Sequence, residues 1–191
     1  MIFTIGHSNR DLAEFTDLLV THEIEMLVDV RAFPGSRRLP HFGGEQLAAA
    51  LKSMSIEYLH EGDLGGRRKL RAAAESNGCG DGWRNSSFRA YAEYAQSDQY
   101  MIDLEELVAR SELQRTTIMC SEAVPWRCHR WLISDTLVVR GIHVGHILGP
   151  APARRHELSS FARVTGERVM WPGPPSEAPL HMGAALTVSS C

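Results

Sequence analysis

The stretch "RTTIMCSEAVPWRCHRWLISDTLVVRGIHVGHIL", residues 115–148, predicts the fold of the domain. An apolar run of strand type ends at Cys120, a polar loop follows, and helical spacing of apolar residues begins near His129. Gly141 is placed to cap that helix, and the apolar run over residues 142–148 predicts a further strand. A strand, a helix and a strand in this order favour a parallel sheet.

The rest of the chain up to Pro150 repeats this alternation. Helices are predicted in "SNRDLAEFTDLLVTHEI", with Ser8 or Asn9 as its cap, in "GGEQLAAALKSMSI", and as two helices broken near Ser97-Asp98 in "SFRAYAEYAQSDQYMIDLEELVARSE". Strands are predicted in "IFTIGHS", "EMLVDVRAFP" and "EYLH". We therefore expect residues 1–150 to form a single α/β domain of three layers, with a mostly parallel sheet of about five strands flanked by helices.

Two segments lie outside this alternation. Residues 71–87 lack periodicity and contain three glycines, which is typical of a long surface loop. Residues 151–191 predict a C-terminal extension that is partly irregular. In it, "ARRHELSSFARV" is expected to form a short helix, and the Pro/Gly/Ser-rich end is expected to be an extended or mobile tail.

The composition is that of an ordinary globular domain. Hydrophobic residues make up 43% of the chain and charged residues 23%, and the formal net charge of -3 excludes an overall basic field. No run is long and apolar enough for a membrane helix, and the N-terminus does not resemble a secretory signal. We therefore expect a cytoplasmic protein with free thiols and without a membrane partner.

Polar and reactive residues follow the predicted strands. The four strand-end segments are "GHSNR", "DVRAFPGSRR", "DLGGRRK" and "CSEAVPWRCHR". Because ligands of parallel α/β sheets bind at the carboxyl ends of the strands, these segments predict one site. The candidate catalytic residues are Cys120, Glu122, His7 and Asp29, and the candidate substrate-binding residues are Arg31, Ser36, Arg67, Arg127, Arg130, Ser8 and Tyr91.

The thiols of this site have several interpretations. Cys120 is a candidate nucleophile whose thiolate would be favoured by Arg127, Arg130 and the following helix, with Glu122 or His7 as acid or base. A metal site would use Cys120, Glu122, Cys128 and His129, although neighbouring residues of one helix point in different directions. A redox pair of the two cysteines and two simply buried thiols are the remaining alternatives. Asp29 is either an acid–base group or the partner of Arg31 in a buried ion pair.

The arginines indicate an anionic partner. Guanidinium groups bind phosphates and carboxylates through paired hydrogen bonds, so we expect an anionic small molecule or a nucleic acid as the ligand. The leading hypothesis is an enzyme acting on such a substrate. A non-catalytic nucleic-acid or nucleotide-binding module is the alternative, with Trp83, Trp126 and Tyr91 as stacking surfaces. Walker and G-x-G-x-x-G spacings are absent, and no cofactor is predicted.

An ordered series of motifs carries a family resemblance. "TIGHS", "DVR" followed by "PGS", "PHF", "LGG", "FRAYAEY" and "CSEAVPWRCHR" together resemble the family of domains of unknown function designated DUF488, over about residues 3–149. The resemblance implies a small cytoplasmic α/β domain and leaves its activity open. The layout around Cys120 is also similar to rhodanese and cysteine-phosphatase domains. However, six residues rather than five separate Cys120 from Arg127, and Pro125 removes one amide donor.

Overall fold

A parallel sheet forms the centre of the molecule. The computed structural model describes residues 1–35, 38–70 and 78–173. Its six-stranded sheet has the order β3-β2-β4-β1-β5-β6, in which the first five strands are parallel and β6 is antiparallel to β5. The strands are β1 (Ile2–Gly6), β2 (Met26–Asp29), β3 (Glu57–His60), β4 (Thr116–Cys120), β5 (Val144–Ile147) and β6 (Arg154–Arg155).

Helices cover both faces of the sheet and make it the middle of three layers. They are α1 (Leu12–Thr21), α2 (Gly44–Lys52), α3 (Ser86–Tyr94), α4 (Asp98–Leu113) and α5 (Arg130–Val139). Alternate residues of β1 enter different hydrophobic clusters: Phe3 packs with residues of α1 and α2, and Ile2 with residues of α3, α4 and α5. None of the helices in the described ranges combines the length and hydropathy needed to cross a membrane.

These observations confirm the predicted α/β class and its mostly parallel sheet. The break between α3 and α4 falls at Ser97, whose hydroxyl accepts a hydrogen bond from the Tyr100 amide and caps α4. Gly141 follows α5 with a φ of +79°, a left-handed conformation that glycine adopts without strain.

Two local predictions are wrong. Asp11, and not Ser8 or Asn9, caps α1, because its carboxylate accepts the Glu14 amide at 2.7 Å. The short helix expected in "ARRHELSSFARV" is absent, and this segment contains β6 and the start of a hairpin of β7 (Arg163–Thr165) and β8 (Arg168–Met170). The open edge of β5 offers backbone hydrogen bonds that β6 takes up, and this pairing prevails over the weak helical pattern.

A buried polar network joins this C-terminal segment to α5. The Asp135 carboxylate accepts hydrogen bonds from the His156 ring at 2.8 Å, from the amide and hydroxyl of Ser159, and from the Trp171 indole at 2.7 Å. The His156 ring bonds in turn to His146 at 3.0 Å. Each of these side chains is buried, so each polar atom depends on its partner within the protein.

We expect Asp135→Ala to lower the free energy of unfolding by about 3–5 kcal/mol, because three buried side chains would lose their acceptor. Urea denaturation followed by tryptophan fluorescence measures this change. Asp98→Ala is the matched control, since the Asp98 side chain is 93% exposed in its pair with Arg168, and it should cost less than about 1 kcal/mol. Equal losses in the two variants would contradict the importance of the network.

Candidate functional site

The carboxyl ends of β1, β2 and β4 converge on one cavity. Gly6 of β1 lies beside Cys120 of β4, and Asp29 of β2 lies beside Met119. The loops that follow these strands enclose a cavity of about 430 Å³. Of the predicted site residues, those that line it are His7, Arg31, Arg67, Cys120, Glu122 and Arg127, together with Cys128 and His129 of the metal hypothesis.

The loop between β4 and α5 packs tightly against the end of β1. A Cβ atom at Gly6 would overlap the backbone carbonyl of Glu122, so only glycine fits there. Pro125 starts a short 3-10 turn, Pro125–Arg127, and the Cys128 amide closes it on the Pro125 carbonyl at 2.9 Å. Cys128 is then extended and His129 is the N-cap of α5. The sequence had suggested that Cys128 and His129 lie on one helix and point in different directions. Because both residues precede α5, their side chains are not held apart in this way.

The Cys128 sulfur has three polar neighbours. Arg130 donates to it from Nε at 3.3 Å, His129 Nδ1 lies at 3.5 Å, and the Cys120 sulfur lies within 4.8 Å. Burial opposes ionisation of Cys128, but the neighbouring Cys120 thiol and the Arg130 charge prevail and lower its pKa from 9.0 to about 6. The proximity of Cys128, together with burial, raises the pKa of the Cys120 thiol. Contact with the Arg130 guanidinium therefore favours Cys128 as the thiolate of the pair.

His129 is held with one ring nitrogen facing the sulfurs. Its Nε2 donates to the Val30 carbonyl at 3.0 Å, which leaves the lone pair of Nδ1 directed toward Cys128 and, at 4.0 Å, Cys120. The Tyr91 ring packs against it with centroids 5.0 Å apart. Gly66 lies against the ring on the cavity side, where a Cβ atom would clash with Nδ1.

His7 and Arg31 both line the cavity. His7 is uncharged, and the charge of Arg31 is paired with Asp29. The Arg31 guanidinium binds Asp29 through three hydrogen bonds, from Nε at 2.8 and 3.1 Å and from Nη2 at 2.5 Å, so Asp29 is the partner in a buried ion pair. Burial lowers the pKa of His7 to about 4, and its Nδ1 faces the Ser8 carbonyl at 2.9 Å. His7 is therefore uncharged at neutral pH and accepts from Arg31 at 3.4 Å.

The other predicted residues take different places. Arg67 and Arg127 are exposed at the cavity mouth, and the exposed Glu122 lies there too. Arg130 is fully buried behind Cys128. Tyr91 lies behind His129 and donates its hydroxyl to the Leu64 carbonyl. The remaining two are Ser8, whose hydroxyl bonds to Asn9 outside the cavity lining, and Ser36, which lies outside the described residues.

Three ligand atoms could hold a metal ion. The sulfurs of Cys120 and Cys128 and one nitrogen of His129 all lie within 4.8 Å of one another. Two thiolates and an imidazole suit a soft or borderline ion such as zinc. The Glu122 carboxylate, which the sequence hypothesis added to this set, is not part of the cluster.

Sequence reasoning assigned the nucleophile to Cys120 and did not place Cys128 among the catalytic candidates. The signal for Cys128 was its spacing from Arg130, two positions along the chain, which brings guanidinium and sulfur together once residue 128 is extended. The sequence also did not identify Asn85, Ser87 and Phe88, which line the cavity from the start of α3.

Comparison with known proteins identifies the family. Residues 11–137 match the domain of unknown function DUF488, and the chain belongs to this family. No curated protein and no solved structure shows a significant match. The matched range contains Cys120, Cys128, His129 and Arg130, so the whole thiol cluster lies within the family domain.

We expect alkylation of Cys128 by iodoacetamide to titrate with a midpoint near pH 6, because only the thiolate reacts and its pKa is lowered to about 6. Reaction should be slow in more acidic buffer and close to its plateau at neutral pH. Mass spectrometry of the peptide that contains Cys128 measures the rate across the pH range. Cys120→Ala should move the midpoint upward, because it removes the neighbouring thiol that stabilises the thiolate.

The same experiment can contradict this assignment. A midpoint near that of an ordinary thiol, or preferential labelling of Cys120, would show that Cys128 is not the thiolate. Cys79, which is buried outside the cavity lining, provides an internal comparison in every sample.

Proposed function

We propose that this DUF488 protein is an enzyme that uses the Cys128 thiolate to attack an anionic substrate bound in the cavity. The observation that carries the proposal is the fully buried Arg130 guanidinium, which donates to the Cys128 sulfur and to the Glu122 carbonyl. Among the described residues, no carboxylate forms a salt bridge with Arg130. An unpaired buried cation is costly, and a thiolate at Cys128 supplies the missing counter-charge.

The surrounding groups suit the steps of nucleophilic catalysis. His129 Nδ1 faces the Cys128 sulfur and can pass the proton of the thiol on to solvent in the cavity, so that the thiolate remains as the counter-charge of Arg130, and the Val30 carbonyl holds the other ring nitrogen in place. The sulfur then forms a bond to the electrophilic atom of the substrate while the leaving group departs with its electron pair. Glu122, exposed at the mouth, is positioned to exchange protons with the leaving group or with an attacking water molecule.

The Cys120 thiol acts as a donor in this scheme. Its hydrogen bond stabilises the sulfur charge of Cys128, and its own raised pKa keeps it protonated. This assignment exchanges the roles that the sequence hypothesis gave to the two cysteines. Cys120 remains close enough to the reacting sulfur to influence both its charge and its reactivity.

Arginine side chains, rather than loop amides, would bind the anion. The amides of Arg127 and Cys128 are already bonded to the carbonyls of Val124 and Pro125, so they do not point at a substrate as in a cysteine-phosphatase loop. Arg67 and Arg127 are exposed at the mouth and carry their charge toward solvent. The cavity therefore favours anions by charge, while the amides of Arg127 and Cys128 are taken up in an internal turn.

Metal binding is a second candidate function, favoured by the convergence of two sulfurs and one imidazole nitrogen. The hydrogen bond from His129 to Val30 is also the kind of partner that orients a metal-ligating histidine. The buried charge of Arg130, in contact with the Cys128 sulfur, opposes a divalent cation at the same place. For this reason the thiolate function is the better supported of the two.

We expect the purified protein to react at Cys128 without prior chelation, because no ion shields its sulfur in the proposed enzyme. Thiol titration with and without EDTA, together with elemental analysis, measures this. Three results together would establish the metal site instead: the protein contains about one equivalent of zinc, its thiol reacts only after chelation, and His129→Ala loses the metal.

We expect Arg127→Ala to slow alkylation of Cys128 by iodoacetate about threefold to tenfold and to leave the rate with neutral iodoacetamide unchanged. The reason is that the removed charge attracts only the anionic reagent. Arg163→Ala is the matched control, since Arg163 is exposed on β7 and does not line the cavity. An equal loss with both reagents would indicate distortion of the site and would argue against charge selection.

A further inference from the structure

A groove extends across the surface from the cavity lined by Cys120 and Cys128, which we call the thiol cavity. The cavity of about 430 Å³ shares Phe88 and Arg127 with a neighbouring one of about 630 Å³. That middle cavity shares Trp83, Trp126 and Phe161 with a third of about 400 Å³. We call the three together the aromatic groove, because aromatic side chains line it throughout its length.

The charge of the aromatic groove is opposite to that of the whole chain. The formal net charge of the protein is -3. The groove nevertheless carries more arginines than carboxylates: its arginines are Arg31, Arg67, Arg84, Arg127, Arg154 and Arg155, and its glutamates are Glu122 and Glu157. Arg31 is neutralised by Asp29, and the other five are exposed. A local positive surface on an acidic protein favours a polyanionic ligand.

The aromatic side chains are held rigidly along this path. Trp83 packs edge-on against Phe161 with centroids 5.0 Å apart and contacts Phe88 at 4.8 Å. Trp131 donates its indole N–H to Ser159 at 2.8 Å and stacks on His146. Side chains that are already fixed lose little conformational entropy when a ligand binds.

Trp126 is more exposed than these partly buried rings. It lies between the middle and the far cavities and is 45% exposed, although its neighbour Pro125 is buried. The 3-10 turn that begins at Pro125 is closed by the Cys128 amide, so it fixes the backbone that carries the indole relative to Cys128. An exposed ring beside arginines is what a stacked base requires.

We propose that the aromatic groove binds a single-stranded nucleic acid and brings one nucleotide to the mouth of the thiol cavity. This inference rests on the proposed function, for which it names the substrate class. Single strands combine phosphates for the arginines with unpaired bases for the aromatic faces. The bases of a duplex are stacked on one another, so a duplex would satisfy the arginines and leave Trp126 without a partner.

Fluorescence anisotropy with a labelled oligothymidylate of about twelve nucleotides tests the binding. The Cys128→Ser protein is used, so that binding is measured without chemistry at the sulfur. We expect Trp126→Ala in this background to weaken binding about tenfold, and Arg154→Ala with Arg155→Ala to reduce the dependence of binding on salt. Arg163→Ala is the matched control on β7, outside the aromatic groove, and should leave the affinity unchanged.

A second measurement connects the groove to the thiol. Saturating oligothymidylate should slow alkylation of Cys128 by iodoacetamide at least severalfold in the unmodified protein, because the bound strand covers the cavity mouth. Heparin or duplex DNA binding as tightly as the single strand, with no effect of Trp126→Ala, would overturn the inference and indicate a general polyanion surface. No binding at all would also overturn it. In both cases the pH midpoint of Cys128 alkylation still decides the proposed function separately.

Discussion

The buried guanidinium of Arg130 is the constraint on which the site depends. It lies at the start of α5 with no exposed surface, between the Cys128 sulfur and the Glu122 carbonyl. A charge in this position must be compensated by its neighbours, because water cannot reach it. The carbonyl fixes the path of the loop, and the sulfur supplies negative charge. Arg130 therefore fixes the loop and also lowers the pKa of the Cys128 thiol.

Helix α5 connects this site to the C-terminal segment. Arg130 begins the helix beside the cavity, and Asp135, about one turn and a half further on, accepts four hydrogen bonds from His156, Ser159 and Trp171. Both residues are fully buried. Since these hydrogen bonds are satisfied within the protein, His156, Ser159 and Trp171 tie the described part of the segment after β5 to α5.

The sequence predicted the fold well because the alternation of strands and helices is regular as far as β5. It also predicted that residues at the strand ends come together, and His7, Arg31, Cys120 and Arg127 line one cavity; a functional role for them stays a prediction. The sequence could not show which of the two cysteines contacts Arg130, because that contact depends on the backbone conformation at Cys128. Cys128 is extended and precedes the N-cap of α5, although the apolar spacing would equally suit a helix that starts earlier. Similarly, β6 forms by antiparallel pairing with the edge of β5, which the apolar spacing of residues 153–164 does not reveal.

The family domain and the aromatic groove do not coincide. The match to DUF488 ends at residue 137, so it includes the thiol cluster together with Trp83, Trp126 and Trp131. The far end of the groove is built by Arg154, Arg155 and Phe161, which lie after that range. The reaction proposed at Cys128 therefore involves the family domain alone. The length of the proposed ligand depends in addition on the C-terminal segment, which the buried Asp135 network holds against α5.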